Sequence, residues 1–351
     1  MKSNKRLKAL RHQRAREKAE IKKRSRYSKR KRNKSLLQRK IENNIRKTIK
    51  KKPNISKVAP SDFSLIDNPN EVIAYINDCK KLLHQKEKVT IDIANIQTLT
   101  SDAIALLVAC ADDPHFRGKY GELSGNAPKD TKLRKLFMES GFYNFVRAHR
   151  FMKTAQKESD NLLHKESHFQ VQPDIARKAC LHGTQHIFNN QEPIPCLYEM
   201  IIEAMSNTNN HANKDKEGTT KWWLYAYNDP EGKTCYSFVD LGVGIFESFP
   251  VSLYKIKQKI GLTHNADLVS DLLEGKIKSS KKADKKIRGK GIPQIAKNSQ
   301  QDIFKRAYII TNDVKIDLKS RKAERLSYDF HGTLLYWELT KQGGNNGQDL
   351  Y

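Results

Sequence analysis

Apolar and polar residues follow two different periods along residues 60–340, and these periods predict an α/β protein. Apolar residues at helical spacing predict helices over 70–85 and 129–140, the second ending before Gly141. Alternation predicts short strands over 89–93 and 120–123. The stretch 103–111 is apolar on all sides and follows Thr100 and Ser101, which can cap a helix. A buried helix is therefore expected there.

The second half of the chain has its clearest amphipathic helix over 195–212. The apolar stripe of this helix contains Leu197, Ile201 and Met205, and polar residues recur at every fourth position on another face. Periodicity also predicts a helix over 174–188 and strands over 168–171, 236–240, 307–311 and 332–339, with residues 320–328 between the last two strands. The pattern predicts a second α/β region.

The first 58 residues lack such a pattern and carry most of the charge. Residues 1–60 contain 25 Lys and Arg against three Glu, a net charge of +22 out of +27 for the whole chain. Such a block repels itself and is expected to form a disordered or helical arm that seeks a polyanion. RNA or DNA is the expected partner, bound through its backbone because Tyr27 is the arm's only aromatic residue. The alternative is an arm that only keeps the chain soluble.

These patterns predict four segments: a basic arm over 1–58, an α/β domain over 59–150, a second α/β domain over 151–342 and a flexible tail over 343–351. The five cysteines are scattered without a Cys-x-x-Cys pair. Their spacing disfavours a zinc site or a disulfide framework and favours a reducing, cytoplasmic setting. The sequence has no run of about 18 apolar residues, so no membrane partner is expected.

The first α/β domain resembles the STAS domains of bacterial anti-anti-sigma factors. The matching stretches are Thr-Ile-Asp-Ile at 90–93, Thr-Ser-Asp at 100–102, Leu-Ser-Gly-Asn-Ala-Pro at 123–128 and Leu-Phe-Met-Glu-Ser-Gly-Phe at 136–142. In that family a serine at the start of the helix is phosphorylated, and Asp102 stands at the corresponding position here, with Ser101 before it. The resemblance implies a protein partner for this domain. The carboxylate at 102 disfavours phosphorylation, and simple capping of the helix is the favoured expectation.

Four short stretches of the second domain combine polar or charged residues with glycines and follow one another along the chain. They are Glu203-Ala-Met-Ser-Asn207, Asp240-Leu-Gly-Val-Gly244, Arg288-Gly-Lys-Gly-Ile292 and His331-Gly-Thr-Leu334. Together they resemble the N, G1, G2 and G3 boxes of the GHKL ATPases, which include type II topoisomerase ATPase domains, histidine kinases and anti-sigma serine kinases. The resemblance implies a Bergerat-type α/β sandwich with helices on one face of a mixed sheet. ATP would lie between the helices and a mobile lid.

The residue types in these boxes suit nucleotide chemistry. An amide oxygen on Asn207 can ligate Mg²⁺, and Glu203, one helical turn earlier, can orient or deprotonate an attacking water or hydroxyl. The carboxylate of Asp240 can accept a hydrogen bond from the adenine amino group. The expected nucleotide-binding residues are Asn207, His211, Asp240, Gly242, Gly244, Arg288, Gly289, Lys290, Gly291 and Thr333, with Glu203 as the catalytic residue and Asn207 as the metal ligand.

The basic segment 276–290 corresponds to the lid of the GHKL family. It leads into a helix start at which free N–H groups can meet phosphates, and Pro293 suits the first turn of that helix. The segment is not a Walker A loop, because Lys290 is followed by Gly291 and not by Ser or Thr. A basic surface loop without a ligand is the alternative.

The expected fold is thus a basic arm, a STAS-like α/β domain and a GHKL-type α/β sandwich. The expected function is an ATP-binding regulatory switch, a slow Mg²⁺-dependent ATPase whose nucleotide state recruits a partner; a homodimer is compatible with it. One alternative is an anti-sigma-like protein serine kinase. Another is a nucleic-acid-associated structural protein that does not turn over ATP. A histidine kinase is disfavoured, because no helix pair with a phospho-acceptor histidine precedes the ATP domain.

Overall fold

A computed structural model describes residues 38–45, 47–49, 52–146, 162–166, 171–211, 221–248, 261, 263–277 and 291–341. The chain divides into two units, Met1–Pro53 and Asn54–Tyr351. In the first unit, residues 38–45 and 47–49 are helical. The second unit contains both of the predicted α/β regions.

A small parallel sheet organises the first half of the larger unit. Its strands lie in the order β1 (Asn54–Val58), β3 (Lys88–Asp92) and β5 (Glu122–Gly125). The crossovers between them contain α1 (Pro69–His84) and α2 (Ser101–Asp112). The short strands β2 (Asp62–Phe63) and β4 (Thr98–Leu99) form a second parallel pair. The helices α3 (Pro114–Arg117) and α4 (Thr131–Glu139) lie before and after β5 in the chain.

A five-stranded sheet organises the second half. Its strands lie in the order β6 (Leu162–Glu166), β7 (Trp222–Asp229), β8 (Lys233–Asp240), β10 (Lys322–Thr340) and β9 (Phe304–Asp317). All of the described pairings are antiparallel. The expectation of a mixed sheet is therefore wrong for these strands, because β7 and β8, like β9 and β10, are joined as hairpins.

The helices of the second half lie between β6 and β7 or between β8 and β9 in the chain. They are α5 (Pro173–Phe188), α6 (Pro195–His211), α7 (Ile245–Ser248), α8 (Val269–Leu273) and α9 (Gly291–Asn298), with a 3₁₀ turn over Asn265–Leu268. The helices α5, α6 and α9 share one apolar core with the five-stranded sheet, to which Leu224 and Phe238 contribute from the strands.

Both faces of the five-stranded sheet are covered. Trp223, Tyr225 and Val239 point away from α6 and join the core of the first half. They pack with α2, in which every residue from Ser101 to Cys110 is buried. Side chains alternate between the two faces of a strand, so β7 and β8 supply both cores. The two halves therefore share one sheet as their common wall.

The boundaries of the structure differ from the predicted ones at two places. The last five residues of the predicted arm over 1–58 form the edge strand β1, paired with β3 through the register Asn54↔Lys88 to Val58↔Asp92. The outward-facing polar side chains of β1 and the lysines beside it obscure the alternation of apolar and polar residues that identifies a strand. The predicted domains 59–150 and 151–342 fall within one compact unit, because the apolar α2 is buried against the sheet of the second.

Most predicted elements are present with ends shifted by at most three residues, and three differ more, among them β9, which extends six residues beyond the predicted end at 311. The segment 320–328, which the pattern only placed between two strands, belongs mostly to β10 (Lys322–Thr340), whose pairing with β9 shifts register between Arg325 and Phe330. Of the predicted strand 168–171, residues 168–170 lie outside the described part of the chain, and β6 ends before it at Glu166. Among the described residues, no helix combines the length and the apolar character needed to cross a membrane.

Candidate functional site

The helix α6 presents one polar face beside the sheet. Its apolar residues Leu197, Ile201 and Met205 are buried in the core with the strands. The polar residues between them, at four-residue spacing, lie on a different face because 3.6 residues complete each turn. Glu203 and Asn207 are half-buried on this face. The predicted first box is therefore a helix face at the margin of the core.

The helix α9 begins directly against that face. A Cβ atom added to Gly291 would lie 2.8 Å from Oε2 of Glu203 and 2.8 Å from Oδ1 of Asn207. Only a glycine permits this approach without displacing either side chain. The structure thus brings Glu203 and Asn207 of the first box together with Gly291 of the third, although about 90 residues separate them along the chain.

A polar clamp at the other end of α9 fixes this arrangement. Glu199 accepts hydrogen bonds from the side-chain amides of Gln294 (3.1 Å) and Asn298 (3.0 Å). The amide of Asn298 also donates to the backbone carbonyl of Cys196 at 3.2 Å. Glu199 is thus a positioning residue that holds α9 on α6, a role that the four-residue spacing alone could not show.

The carboxylate of Asp240 lies at the end of β8 and is buried. Its Oδ1 accepts the backbone N–H of Gly242 at 2.9 Å, and its Oδ2 accepts the hydroxyl of Thr208 at 3.3 Å. Thr333 pairs with Asp240 between β10 and β8, and its nearby hydroxyl helps to lower the pKa of the carboxylate. Burial raises the pKa of Asp240 to about 6, and these hydrogen bonds oppose the rise.

The turn after Asp240 is fixed by the neighbouring strand. Gly244 has a φ of +79°, and its backbone approaches the side chain of Asn312 on β9. The amide of Asn312 donates to the carbonyl of Val243 (3.1 Å) and accepts from the N–H of Phe246 (3.1 Å). Thr311 accepts from the N–H of Ile245 at 2.9 Å. The glycine turn of the predicted second box is therefore held in place from β9.

Sequence reasoning missed the polar residues that surround Asp240. Thr208, Thr311 and Asn312 are all buried, yet threonine on a helix or strand gives no signal of its own. The strand register is what assembles them, because Thr333 pairs with Asp240 on one side and with Thr311 on the other. Of this group only Thr333 was predicted.

The carboxylate of Glu203 has the environment of a general base. It is half-buried, and desolvation together with the charge of Glu199 raises its pKa above the usual range for glutamate. A carboxylate with a raised pKa holds a proton more readily than an exposed one does. Glu203 can therefore accept a proton from a water or hydroxyl placed beside it.

The amide of Asn207 is the best candidate for a metal ligand. Among the described residues its nitrogen is buried without a hydrogen-bond partner, and both its oxygen and its nitrogen lie close to Gly291. Within the described ranges, no group of three or more His, Cys, Asp or Glu could hold an ion. A magnesium ion would therefore take most of its ligands from water and phosphate, as Mg²⁺ does when few protein groups bind it.

Four predicted residues remain without a structural description of their side chains. Arg288, Gly289 and Lys290, with the rest of 278–290, lie outside the described residues. His211 is the last residue of α6, and its side chain also lies outside them. Gly242 lies in the turn after Asp240, where its N–H binds the carboxylate.

The predicted regulatory position of the first half lies in the core. Asp102 is 1% exposed, and its Oδ2 accepts the N–H groups of Leu65 (2.6 Å) and Ile66 (3.1 Å). Burial raises its pKa. Ser101 is 6% exposed and lies 3.4 Å, oxygen to oxygen, from Ser237 of β8. Both residues face the five-stranded sheet, so neither is accessible to a kinase in this fold.

Comparison with models of known protein families and with curated proteins found no match for this chain.

Proposed function

We propose that this protein is an ATP-binding switch whose site lies between α6, the end of β8 and the start of α9. The observation that carries the proposal is the meeting of three separate sequence motifs at one place. Glu203 and Asn207 lie against Gly291, and the same helix, through Thr208, contacts Asp240. Motifs that only resembled a nucleotide site in sequence are joined by one helix.

Asp240 supplies the recognition of adenine in this proposal. Its pKa of about 6 leaves it ionised at neutral pH, so it can accept a charge-assisted hydrogen bond from the exocyclic amino group. Gly242 has no side chain, so its backbone would be able to approach a flat base, whereas Gly244 packs against Asn312. Thr208 and Thr333 orient the carboxylate from two sides.

Asn207 and the first turn of α9 would hold the phosphates. The first N–H groups of a helix have no partner within it and attract anions, aided by the helix dipole. Asn207 offers its amide oxygen to Mg²⁺ at the same point. A bound Mg²⁺ would neutralise charge on the phosphate oxygens. The basic residues before Gly291 would add positive charge from the lid.

Glu203 is the proposed base. A water oxygen would attack the γ-phosphorus, the bond to the bridging oxygen of ADP would break, and the proton of the water would pass to the Glu203 carboxylate. If a protein hydroxyl replaces water, the same chemistry gives a serine kinase. Because Ser101 is buried, it cannot be the acceptor in the folded chain. We therefore propose a separate protein as the substrate of the kinase alternative.

Incubation with γ-labelled ATP and Mg²⁺ tests this assignment and separates its alternatives. We expect slow release of labelled phosphate from the full chain, and loss of that release in Glu203→Gln with ATP affinity retained, because only the transition state needs the base. Label on an added protein would identify the kinase alternative. A Glu203→Gln protein that releases phosphate at the parental rate would refute the role of Glu203. Binding without turnover by the parent would leave a non-hydrolysing switch.

The arm carries a separate proposal, that residues 1–53 bind the nucleic-acid backbone. Its support is the concentration of the chain's positive charge there. Removing residues 1–53, which leaves β1 in its sheet, should abolish most nucleic-acid affinity at low salt while ATP binding survives. Equal affinity of the truncated and full chains in filter binding would contradict the proposal and favour an arm that only confers solubility.

A further inference from the structure

Two neighbouring loops form a basic surface on the first half of the larger unit. One loop covers residues 84–88, between α1 and β3, and the other covers 115–121, between α3 and β5. They are joined by a hydrogen bond between Nε2 of His84 and the carbonyl of His115 at 2.8 Å. The N–H of Glu122 donates to the carbonyl of Glu87 at 3.3 Å. We refer to residues 84–88 and 115–121 as the basic loop pair.

The charge of the basic loop pair stands out from its surroundings. Residues 54–146 contain eleven Lys and Arg and twelve Asp and Glu, so this half is close to neutral. The loop pair holds four of those cations and only one of those anions, Glu87. Lys86, Arg117 and Lys119 are exposed, and Lys88 is half-buried. Within the described part of the chain, neither Lys88 nor Arg117 has an ion-pair partner.

An aromatic ring lies among these cations. The ammonium group of Lys119 lies 5.2 Å from the ring centroid of Tyr120, and that of Lys86 lies 5.7 Å from it. Tyr120 is only half-buried. A cation–π contact at an exposed site is weak, on the order of 0.5–1 kcal/mol. The lysines can therefore leave the ring for a phosphate while the ring receives another partner.

We propose that the basic loop pair binds single-stranded nucleic acid, with the lysines and Arg117 on the phosphates and Tyr120 against an unpaired base. Cations that track a backbone beside an aromatic platform are the combination that single strands recognise, and every base offers a π-face for stacking. A duplex hides its bases within the helix, so it would use only the cations. The inference rests neither on the ATP site nor on the arm, because it concerns different residues.

The test uses the full chain and two triple variants of equal charge. The first is Lys86→Gln/Arg117→Gln/Lys119→Gln, and the matched control is Lys297→Gln/Lys305→Gln/Lys322→Gln, three other exposed cations. Fluorescence anisotropy with a 20-nucleotide oligo(dT), an oligo(rU) of the same length and a 20-base-pair duplex gives affinity against salt. The two oligonucleotides separate DNA from RNA as the source of the strand.

The loop variant should lower the magnitude of the single-strand salt slope by about 2, because each lost phosphate contact removes roughly 0.7. The control should leave the slope unchanged. Tyr120→Ala should weaken single-strand binding about tenfold, Tyr120→Phe should retain it, and neither should change duplex binding, because stacking requires an unpaired base. The arm is the same in every protein compared, so these differences belong to the loops.

A loop variant with the slope of the control would overturn the proposal, as would Tyr120→Ala with unchanged single-strand affinity. Equal losses on the duplex and the single strand in Tyr120→Ala would also overturn it, since they would indicate a structural role for the ring. A full chain that binds no nucleic acid at low salt would refute this proposal and that for the arm together. ATP binding, measured in parallel, should be the same in all these variants.

Discussion

Each half of the larger unit contains a buried aspartate that is held by hydrogen bonds, Asp102 in the first half and Asp240 in the second. Asp102 is 1% exposed and Asp240 is 6% exposed, and burial raises the pKa of both. Their partners differ. One oxygen of Asp102 accepts two backbone N–H groups, whereas Asp240 accepts one backbone N–H and the hydroxyl of Thr208 beside a glycine turn.

This difference shows that neither burial nor a raised pKa identifies a functional carboxylate. Asp102 fixes the loop over 64–67 to the start of α2, and its bonds are part of the framework. Asp240 accepts hydrogen bonds from a hydroxyl that can rotate and from the backbone of the glycine turn. In the proposed function, the neighbours of the two carboxylates, and not their titration, distinguish the structural group from the binding group.

Asp102→Ala should have the largest effect on stability. The N–H groups of Leu65 and Ile66 would lose their acceptor in the core, which we expect to lower the free energy of unfolding by roughly 2–5 kcal/mol. Asp102→Asn is the matched control, because its amide oxygen can still accept both bonds. Urea unfolding measures both. A stability of Asp102→Ala equal to that of the parent would remove the distinction between the two aspartates.

Asp240→Asn should instead weaken ATP binding without lowering the stability of the fold. Removal of the charge-assisted acceptor is expected to cost about 1.5–3 kcal/mol of ATP binding free energy, roughly ten- to 150-fold in affinity. Calorimetric titration with ATP and Mg²⁺ measures it. An unchanged affinity in this variant would show that Asp240 does not contact the base.

The same variant should alter the pH dependence of stability. The pKa of Asp240 rises from 3.8 to about 6 on folding, so the folded state keeps its proton to higher pH than the unfolded state. The stability linked to this group is fully present below pH 4 and is lost as pH rises through 6, by about 3 kcal/mol. Asp240→Asn should lack this loss in unfolding experiments between pH 4 and 7.

ATP affinity should follow the opposite trend in the parent. It should fall as pH decreases through about 6, because a protonated Asp240 is a poorer acceptor for the adenine amino group. Titrations at pH 5, 6, 7 and 8 test this, and Asp240→Asn should be nearly flat over the same range. A parallel decline in both proteins would place the titrating group elsewhere.

Thr208→Val should have a smaller effect, confined to the second half of the larger unit. The hydroxyl donates toward Asp240 at 3.3 Å and is shared with the carbonyl of Ala204 at 3.2 Å. Its loss should cost about 0.5–1.5 kcal/mol of ATP binding. The midpoint of the pH profile should also move upward, because the ionised carboxylate loses a donor. Thr208→Ser should restore both; a weaker affinity with an unmoved midpoint would mean that the hydroxyl acts only in packing.

Ser101→Ala should have the smallest effect. Its contact with Ser237 is long at 3.4 Å, so we expect a change in stability below about 1 kcal/mol and none in ATP affinity. Labelling with γ-labelled ATP should be the same in this variant and in the parent. Loss of a labelled band in Ser101→Ala would show that the first half opens to a kinase, contrary to its burial.

The sequence predicted the elements of the site better than their neighbours. The helix α6 was placed to within one residue at its end, because its apolar stripe alone defines it. The second wall of the Asp240 site could not be predicted, since Thr311 and Asn312 act through the pairing of β9 with β10. Paired strands bring together residues that are distant in the sequence, so no local sequence pattern predicts which residues meet.

The missed strands have a physical reason in common. The outer part of β10, Lys322–Arg325, is exposed on both faces while paired to β9 beyond the core, so it has no apolar alternation. β1 is an edge strand with exposed polar residues next to a basic segment. Strands that bury little apolar surface lack the alternation of apolar and polar residues by which a strand is recognised in a sequence.

The complete burial of α2 has a consequence for the synthesis of the chain. This helix ends at Asp112, whereas β7, the first strand that covers it, begins 110 residues later at Trp222. At roughly 5–20 residues per second, the ribosome needs about 5–20 s to supply that strand. During this interval the side of the helix that later packs on β7 and β8 is uncovered in the newly made first half, so we expect the nascent chain to bind chaperones.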